Sequence, residues 1–250
     1  MFKESLPRLA CLLLLLAVAG CSLGGQKAKQ ADIHYMLGLS NLGDQDATSA
    51  LRELLQAAEL DPQRADIQSA LGQAYFQKQA YPEAEQHFLE AIRLDPQNPQ
   101  YQNNLGALYL SMQRWDDAIK HFLKASRNLL FATPEVALTG AGFANFQKGD
   151  YANAISLYRE AMARDPNYAQ AYLRLGEVYY AQDQTAQAVK EYGRALELFP
   201  QYVEAHYRLG VAYLKQQQPA KARTEFLAVV KAAPNSEFAR LSNNYLKQLK

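Results

Sequence analysis

Residues 65–98 read ADIQSALGQAYFQKQAYPEAEQHFLEAIRLDPQN, and the small residues of this stretch return along the chain at a fixed interval. Gly72 has counterparts at Gly38, Gly106, Gly142, Gly176 and Gly210, spaced 34, 34, 36, 34 and 34 residues apart in chain order. Counting each unit from seven residues before its glycine, position 7 is leucine except at Ala141, and position 20 is always alanine: Ala50, Ala84, Ala118, Ala154, Ala188 and Ala222. Position 24 is large, as Leu54, Phe88, Phe122, Tyr158, Tyr192 and Phe226, and position 27 is small, from Ala57 to Ala195, then Val229. Position 32 is Pro62, Pro96, Pro166, Pro200 or Pro234; the third unit alone has Leu130. Small residues at 8 and 20 suit a crossing of two helices whose backbones come close. Positions 24 and 27 share one face of the second helix. The proline, often after Asp61, Asp95 or Asp165, stops that helix. Such helix-turn-helix units cannot bury their apolar faces alone, so neighbours must stack.

This pattern resembles the tetratricopeptide repeat family. The resemblance implies an all-α fold, a right-handed superhelix of six repeats with a concave partner-binding surface. The repeats fall at 31–64, 65–98, 99–132, 135–168, 169–202 and 203–236, with Thr133 and Pro134 inserted before the fourth. Residues 237–250 carry Phe238, Leu241, Tyr245, Leu246 and Leu249 at helical, one-sided spacing, as expected of a capping helix.

Residues 1–20 do not fit the repeat. Lys3 and Arg8 precede an apolar run, Leu9 to Ala19, too short for an ordinary membrane span. It ends in Val18-Ala19-Gly20-Cys21, which resembles the bacterial lipobox. That resemblance implies removal of the leader and lipidation at Cys21. Ser22 after the cysteine then implies the outer membrane of a Gram-negative bacterium, on the periplasmic side. Cys11 would leave with the leader, so the mature chain would hold no free thiol. Acyl chains, at ~0.8 kcal/mol per buried methylene, give a firm anchor when several act together. Residues 21–30 would form the lipidated start and a short tether, reaching roughly 30 Å if extended.

Charge argues against nucleic acid. Of 26 basic and 25 acidic residues, Lys3, Arg8 and Glu4 fall in the leader, leaving 24 of each and a net charge near zero, unlike the basic excess of a nucleic-acid binder. His34 and His206 share position 4, while His87 and His121 share position 23; both read as packing sites. None has a second ligand at metal spacing, and no phosphate loop or nucleophile–base motif appears. The expectation is a chain without catalytic residues, metal or cofactor. Many tyrosines recur at positions 11 and 17, and Trp115 also falls at 17, as buried anchors.

The family resemblance places positions 2, 5, 6, 9, 12 and 13 of each first helix along the concave side. Candidate partner-binding residues are then Asn103, Asn104, Ala107, Leu110, Phe143, Phe146, Leu173, Arg174, Glu177, Tyr180, Tyr207 and Arg208. Two adjacent amides suit a passing backbone; Arg174 and Arg208 suit acidic groups or solvent. No repeat carries the Lys and Asn pair, at 5 and 9, with which chaperone-binding repeats clamp a terminal carboxylate. An apolar, aromatic groove with a few polar anchors suits an extended segment or helix of another protein.

Six such repeats behind a lipobox are similar to the type IV pilus biogenesis lipoproteins of the PilF/PilW type. The likeness is clearest from Asn103-Asn104-Leu105-Gly106 through Trp115-Asp116-Asp117-Ala118 to Phe122-Leu123-Lys124-Ala125-Ser126, and in the interruption before Pro134. It implies a pilotin-like scaffold whose partner is a pilus secretin or another envelope assembly component. The alternatives are an adaptor for a periplasmic peptidase or cell-wall enzyme, or a subunit exporting polysaccharide or outer-membrane proteins.

Overall fold

The computed structural model describes the backbone of residues 6–249 and side chains from Gly25 onward. The side chains of the expected leader and of Cys21 lie outside the described residues. Among the described residues there are thirteen helices and no strand: α1 (Leu6–Gly43), α2 (Ala47–Leu60), α3 (Ala65–Gln77), α4 (Tyr81–Leu94), α5 (Pro99–Ser111), α6 (Trp115–Ser126), α7 (Pro134–Gln147), α8 (Tyr151–Arg164), α9 (Ala169–Ala181), α10 (Thr185–Leu198), α11 (Val203–Lys215), α12 (Pro219–Ala232) and α13 (Glu237–Gln248). Among the described residues no helix is long and apolar enough to cross a membrane. Residues 25–30, expected as tether, continue α1 as exposed helix.

Each repeat turns between its helices on one residue with left-handed backbone: Gln45, Gln79, Gln113, Gly149, Asp183 and Gln217, with φ between 57° and 79°. At α3 the Gln79 N–H donates to Phe76 O (2.9 Å) and the Ala80 N–H to Tyr75 O (3.0 Å), the paired bonds that close a helix on such a residue. Only one of the six is glycine, so the other turns hold a side chain where about 1–2 kcal/mol opposes it. Position 8 is glycine for a close approach. A Cβ at Gly142 would sit 2.6 Å from the Tyr158 ring, and one at Gly176 2.5 Å from Tyr192. The glycine therefore makes room for the large residue at position 24.

The chain divides into two compact units, Met1–Leu108 and Tyr109–Lys250. The first buries Leu42, Leu54, Ile67 and Leu71 among alanines between α1, α2 and α3. Its outer α1 face stays open, with Ile33 and Met36 more than half exposed and Leu37 48% exposed. The described residues before 31 continue the same helix. The second unit buries Tyr158, Leu173, Val178, Tyr192 and Leu209. Its last repeat is closed by α13, where Tyr245 stacks on Phe226 at 4.9 Å and Phe238 meets Tyr207 at 5.2 Å.

Junctions between repeats take two forms within this second unit. Asp165-Pro166-Asn167-Tyr168 is the regular one. The Asp165 carboxylate accepts from the Asn167 N–H (2.9 Å), and its carbonyl accepts from the Tyr168 N–H (3.2 Å). Pro166 and Asn167 point into solvent. The Tyr172 hydroxyl then donates to the Pro166 carbonyl at 3.1 Å, six residues back. A ring N–H of His206 does the same to Pro200 at 3.0 Å.

The other form lies between α6 and α7. α6 has 12 residues where α8 and α10 have 14, so its turn begins early. Asn128 plays the aspartate: its Oδ1 accepts from the Leu130 N–H (2.9 Å) and its carbonyl from the Phe131 N–H (3.1 Å). Leu129, not Leu130, thus occupies the proline site, which corrects the register read from the sequence. Phe131 is buried where Tyr168 is half-buried. Position 4 of the next helix is Leu138, which joins Leu157 in an apolar cluster and cannot tie to the turn. Gly140 lets α7 approach α6, since a Cβ there would lie 2.7 Å from the Phe122 ring.

Candidate partner-binding cleft

The helical period brings positions 6 and 9 of α9 beside positions 2 and 6 of α11. Arg174 and Glu177 are thereby set against Glu204 and Arg208. Arg174 Nη1 meets Glu177 at 2.7 Å and Glu204 at 3.3 Å; Arg208 Nη2 meets Glu177 at 2.9 Å and Glu204 at 3.4 Å. Two carboxylates and two guanidiniums form a closed, neutral set. Burial works against the Arg174 charge, but the two glutamates outweigh it and hold its pKa above the ordinary value. Arg174 also lies 5.4 Å from the Phe143 ring centroid.

Above this set is a cleft of about 200 Å³, lined by Phe146, Glu177, Tyr180, Ala181, Tyr192, Arg208 and Val211. Its wall is aromatic on one side, where Phe146 packs on Tyr151 at 5.7 Å and tilts against Phe143 at 6.4 Å. Tyr180 carries the Lys215 ammonium 4.6 Å from its ring centre, and Lys215 is paired with Asp183. Burial pushes the phenols of Tyr158 and Tyr192 well above the ordinary range, so both stay neutral. The Arg208 Nε is buried and has no hydrogen-bond partner.

Four sequence candidates meet here: Phe146, Glu177, Tyr180 and Arg208. Phe143 and Arg174 stand beside them. Leu173 does not line a groove. It is fully buried in the core, as are Thr139 and, in the other unit, Ser69 to within a few per cent. Position 5 thus faces inward here, because it packs toward the neighbouring repeat. Tyr207 likewise is spent on the last two helices, its ring tilted against Phe226 of α12 and Phe238 and Tyr245 of α13. Arg174, expected to meet a partner's acid or solvent, is held within the chain. Leu110 is half-buried in the second unit.

Asn103, Asn104 and Ala107 belong to the first unit. The Asn104 amide donates to Ser69 Oγ at 3.2 Å and accepts from Gln100 Nε2 at 2.8 Å, so it is engaged already. Asn103 Oδ1 is buried without a hydrogen bond. Trp115 is half-buried. Sequence reading passed over Tyr192, Ala181, Val211 and Glu204 as site residues. The signal for Glu204 was the carboxylate at position 2, which faces the arginine at position 6 of its own and the preceding repeat.

The histidines serve structure. Position 4 pairs with position 23, as His34 with Glu53 (2.8 Å), Gln68 with His87 (2.8 Å) and His206 with Glu225 (2.6 Å). Burial lowers the His87 and His121 pKa, while the Glu225 contact raises that of His206. Among the described residues no three His, Cys, Asp or Glu side chains converge as a metal site.

The tetratricopeptide repeat family model matches residues 35–99 and 173–237, and two further models of that description match 145–195 and 87–120. The chain belongs to the tetratricopeptide repeat family. No curated protein matches it. Among solved structures, pilF of Pseudomonas aeruginosa superposes with a TM-score of 0.73 at 20% identity, over 90% of this chain and 100% of that one. PilW, described as a widely conserved type IV pilus biogenesis factor, gives 0.75 at 17% identity over 84% and 97%. A chain of the APC/C hetero-tetramer Cut9-Hcn1 gives 0.71 at 19% identity, over 88% of this chain and 43% of that one. At such identities the likeness is one of fold, and the fold serves more than one kind of assembly.

Proposed function

We propose that this chain is a non-enzymatic scaffold for type IV pilus biogenesis, held at the periplasmic face of the outer membrane by lipid on Cys21, where it captures a segment of a secretin or another pilus component. The observation that carries the reading is the cleft itself, an apolar and aromatic slot edged by Glu177 and Arg208. An extended segment places an apolar side chain between Phe146, Tyr180 and Val211. That apolar contact supplies the affinity. The Arg–Glu set fixes the floor without net charge, so the cleft does not demand an acidic or basic segment. The lipobox-like start and the fold likeness to pilF and PilW, over nearly the whole of each, support the pilus assignment over an enzyme adaptor or export subunit.

Tyr180→Ala with Val211→Ala tests the cleft. Capture of the secretin should weaken by roughly 1–3 kcal/mol, secretin multimers should fall, and the circular dichroism should stay helical. Normal multimers in cells that carry the folded variant remove the cleft from the function; normal multimers in a deletion remove the pilus reading. Cys21→Ala should release the chain from the outer membrane, and firm retention would refute the anchor.

A further inference from the structure

The regular junction points two side chains into solvent, Pro166 and Asn167 in one case, and Pro200 and Gln201 in another. At the junction after α6 the same two sites hold Leu129 and Leu130, which are 95% and 87% exposed. Nothing in the fold requires leucine there, since proline and amides serve elsewhere. The backbone behind them is fixed: the Leu130 and Phe131 N–H groups are both bonded to Asn128, and Phe131 is buried as an anchor. The chain leading to this tip is basic. Lys120 and Lys124 of α6 and Arg127 at its C-cap are all exposed, spaced four and three apart along the chain, and none has a carboxylate partner among the described residues. No acidic residue lies between Asp117 and Glu135.

We propose that the Leu129–Leu130 turn is a membrane-contact element that inserts into the surface of an anionic lipid bilayer, with Lys120, Lys124 and Arg127 on the headgroups. A bilayer fits better than a protein. The leucines project from a tip rather than line a pocket, and leucine is under-represented among the anchors of protein interfaces. Leucine is favoured in hydrocarbon, and a basic stripe beside it is drawn to anionic headgroups. The Leu130 and Phe131 N–H groups are satisfied internally, so entry into the interface leaves these two paired. The contact does not depend on the cleft or on what occupies it.

The test uses the full chain incorporated into vesicles of phosphatidylethanolamine and phosphatidylglycerol. Trp115→Phe removes the only tryptophan, and Leu130→Trp supplies a reporter; Leu227→Trp, at another exposed leucine, is the control. The Leu130→Trp emission should shift to the blue and be quenched by brominated acyl chains, while the Leu227→Trp control should change little. Lys124→Glu with Arg127→Glu should lower that quenching by an order-of-magnitude shift in apparent affinity, near tenfold. Leu129→Pro with Leu130→Asn rebuilds a regular turn, should remain folded, and should lose the contact. A Leu130→Trp reporter that stays water-like and unquenched overturns the proposal. So does an unquenched reporter combined with loss of a protein partner in the Leu129→Pro, Leu130→Asn variant, which would make the turn a protein-docking surface. Either failure leaves the cleft experiment unaffected.

Discussion

The junctions at 165–168 and 128–131 use the same two hydrogen bonds, one to a side-chain oxygen and one to the carbonyl of the same residue, yet they are held in different ways. The first is tied by Tyr172 to the Pro166 carbonyl, and proline limits its backbone. The second has neither device. It relies on burial of Phe131, on Leu138 in an apolar cluster, and on the absence of a Cβ at Gly140. One junction is stiffened by polar ties near the surface and the other by packing beneath it. Packing leaves the two outward sites of the second junction free for residues chosen by something other than stability.

That contrast can be broken first at its anchor. Phe131→Ala should cost about 3 kcal/mol, the lower part of the range for buried phenylalanine, whereas Tyr168→Ala should cost clearly less because Tyr168 is half-buried. Denaturant midpoints of the pair decide it, and equal losses would mean the junctions share one mode of support. Gly140→Ala comes next. Its methyl must displace the Phe122 ring, at roughly 1–3 kcal/mol. Gly193→Ala in α10 meets open space and should instead stabilise by up to about 1 kcal/mol. A third change sharpens the equivalence of the turns: Leu129→Pro should raise stability by about 0.4–1 kcal/mol through the unfolded state. A loss there would show that the turn lacks the backbone of Pro166.

The smallest effect is one of pH. Both ring nitrogens of His206 face acceptors, Glu225 on α12 and the Pro200 carbonyl, so the contact is complete only when the ring is charged. The Glu225 hydrogen bond raises its pKa against the opposing effect of burial. A raised folded value means that this stabilisation is full below the ordinary imidazole pKa of about 6.5 and is lost as pH rises through the folded value. Amide exchange at 200–206 should therefore quicken toward alkaline pH, while exchange at 128–131, held by Asn128, should show no such step beyond the intrinsic rate. Parallel profiles would end the idea of a titrating tie.

How much was legible depended on which neighbour a residue answers to. Gly142 and Tyr158 were readable because each repeat states the same requirement again at the same interval. Lys78-Gln79-Ala80 was not, since a glutamine in left-handed backbone looks like any surface residue, and only the paired carbonyls of α3 hold it there. The cleft was half legible. Phe146, Tyr180, Glu177 and Arg208 followed from position along a first helix. Leu173 and Tyr207 were misplaced because position 5 looks inward, toward partners that belong to another repeat or to α13.

The sequence by itself determined the repeat, its helices and the closing helix at the C-terminus. These follow from periodicity, which is local and repeated. Tertiary structure alone decided that Leu129 fills the proline site, that Arg174 is locked to Glu177 and Glu204, and that Arg208 is paired with both glutamates as well. The physical reason is that helix ends and ion pairs are settled by packing between elements. A helix that stops two residues early, or a carboxylate one repeat away, leaves no mark in the spacing of the chain.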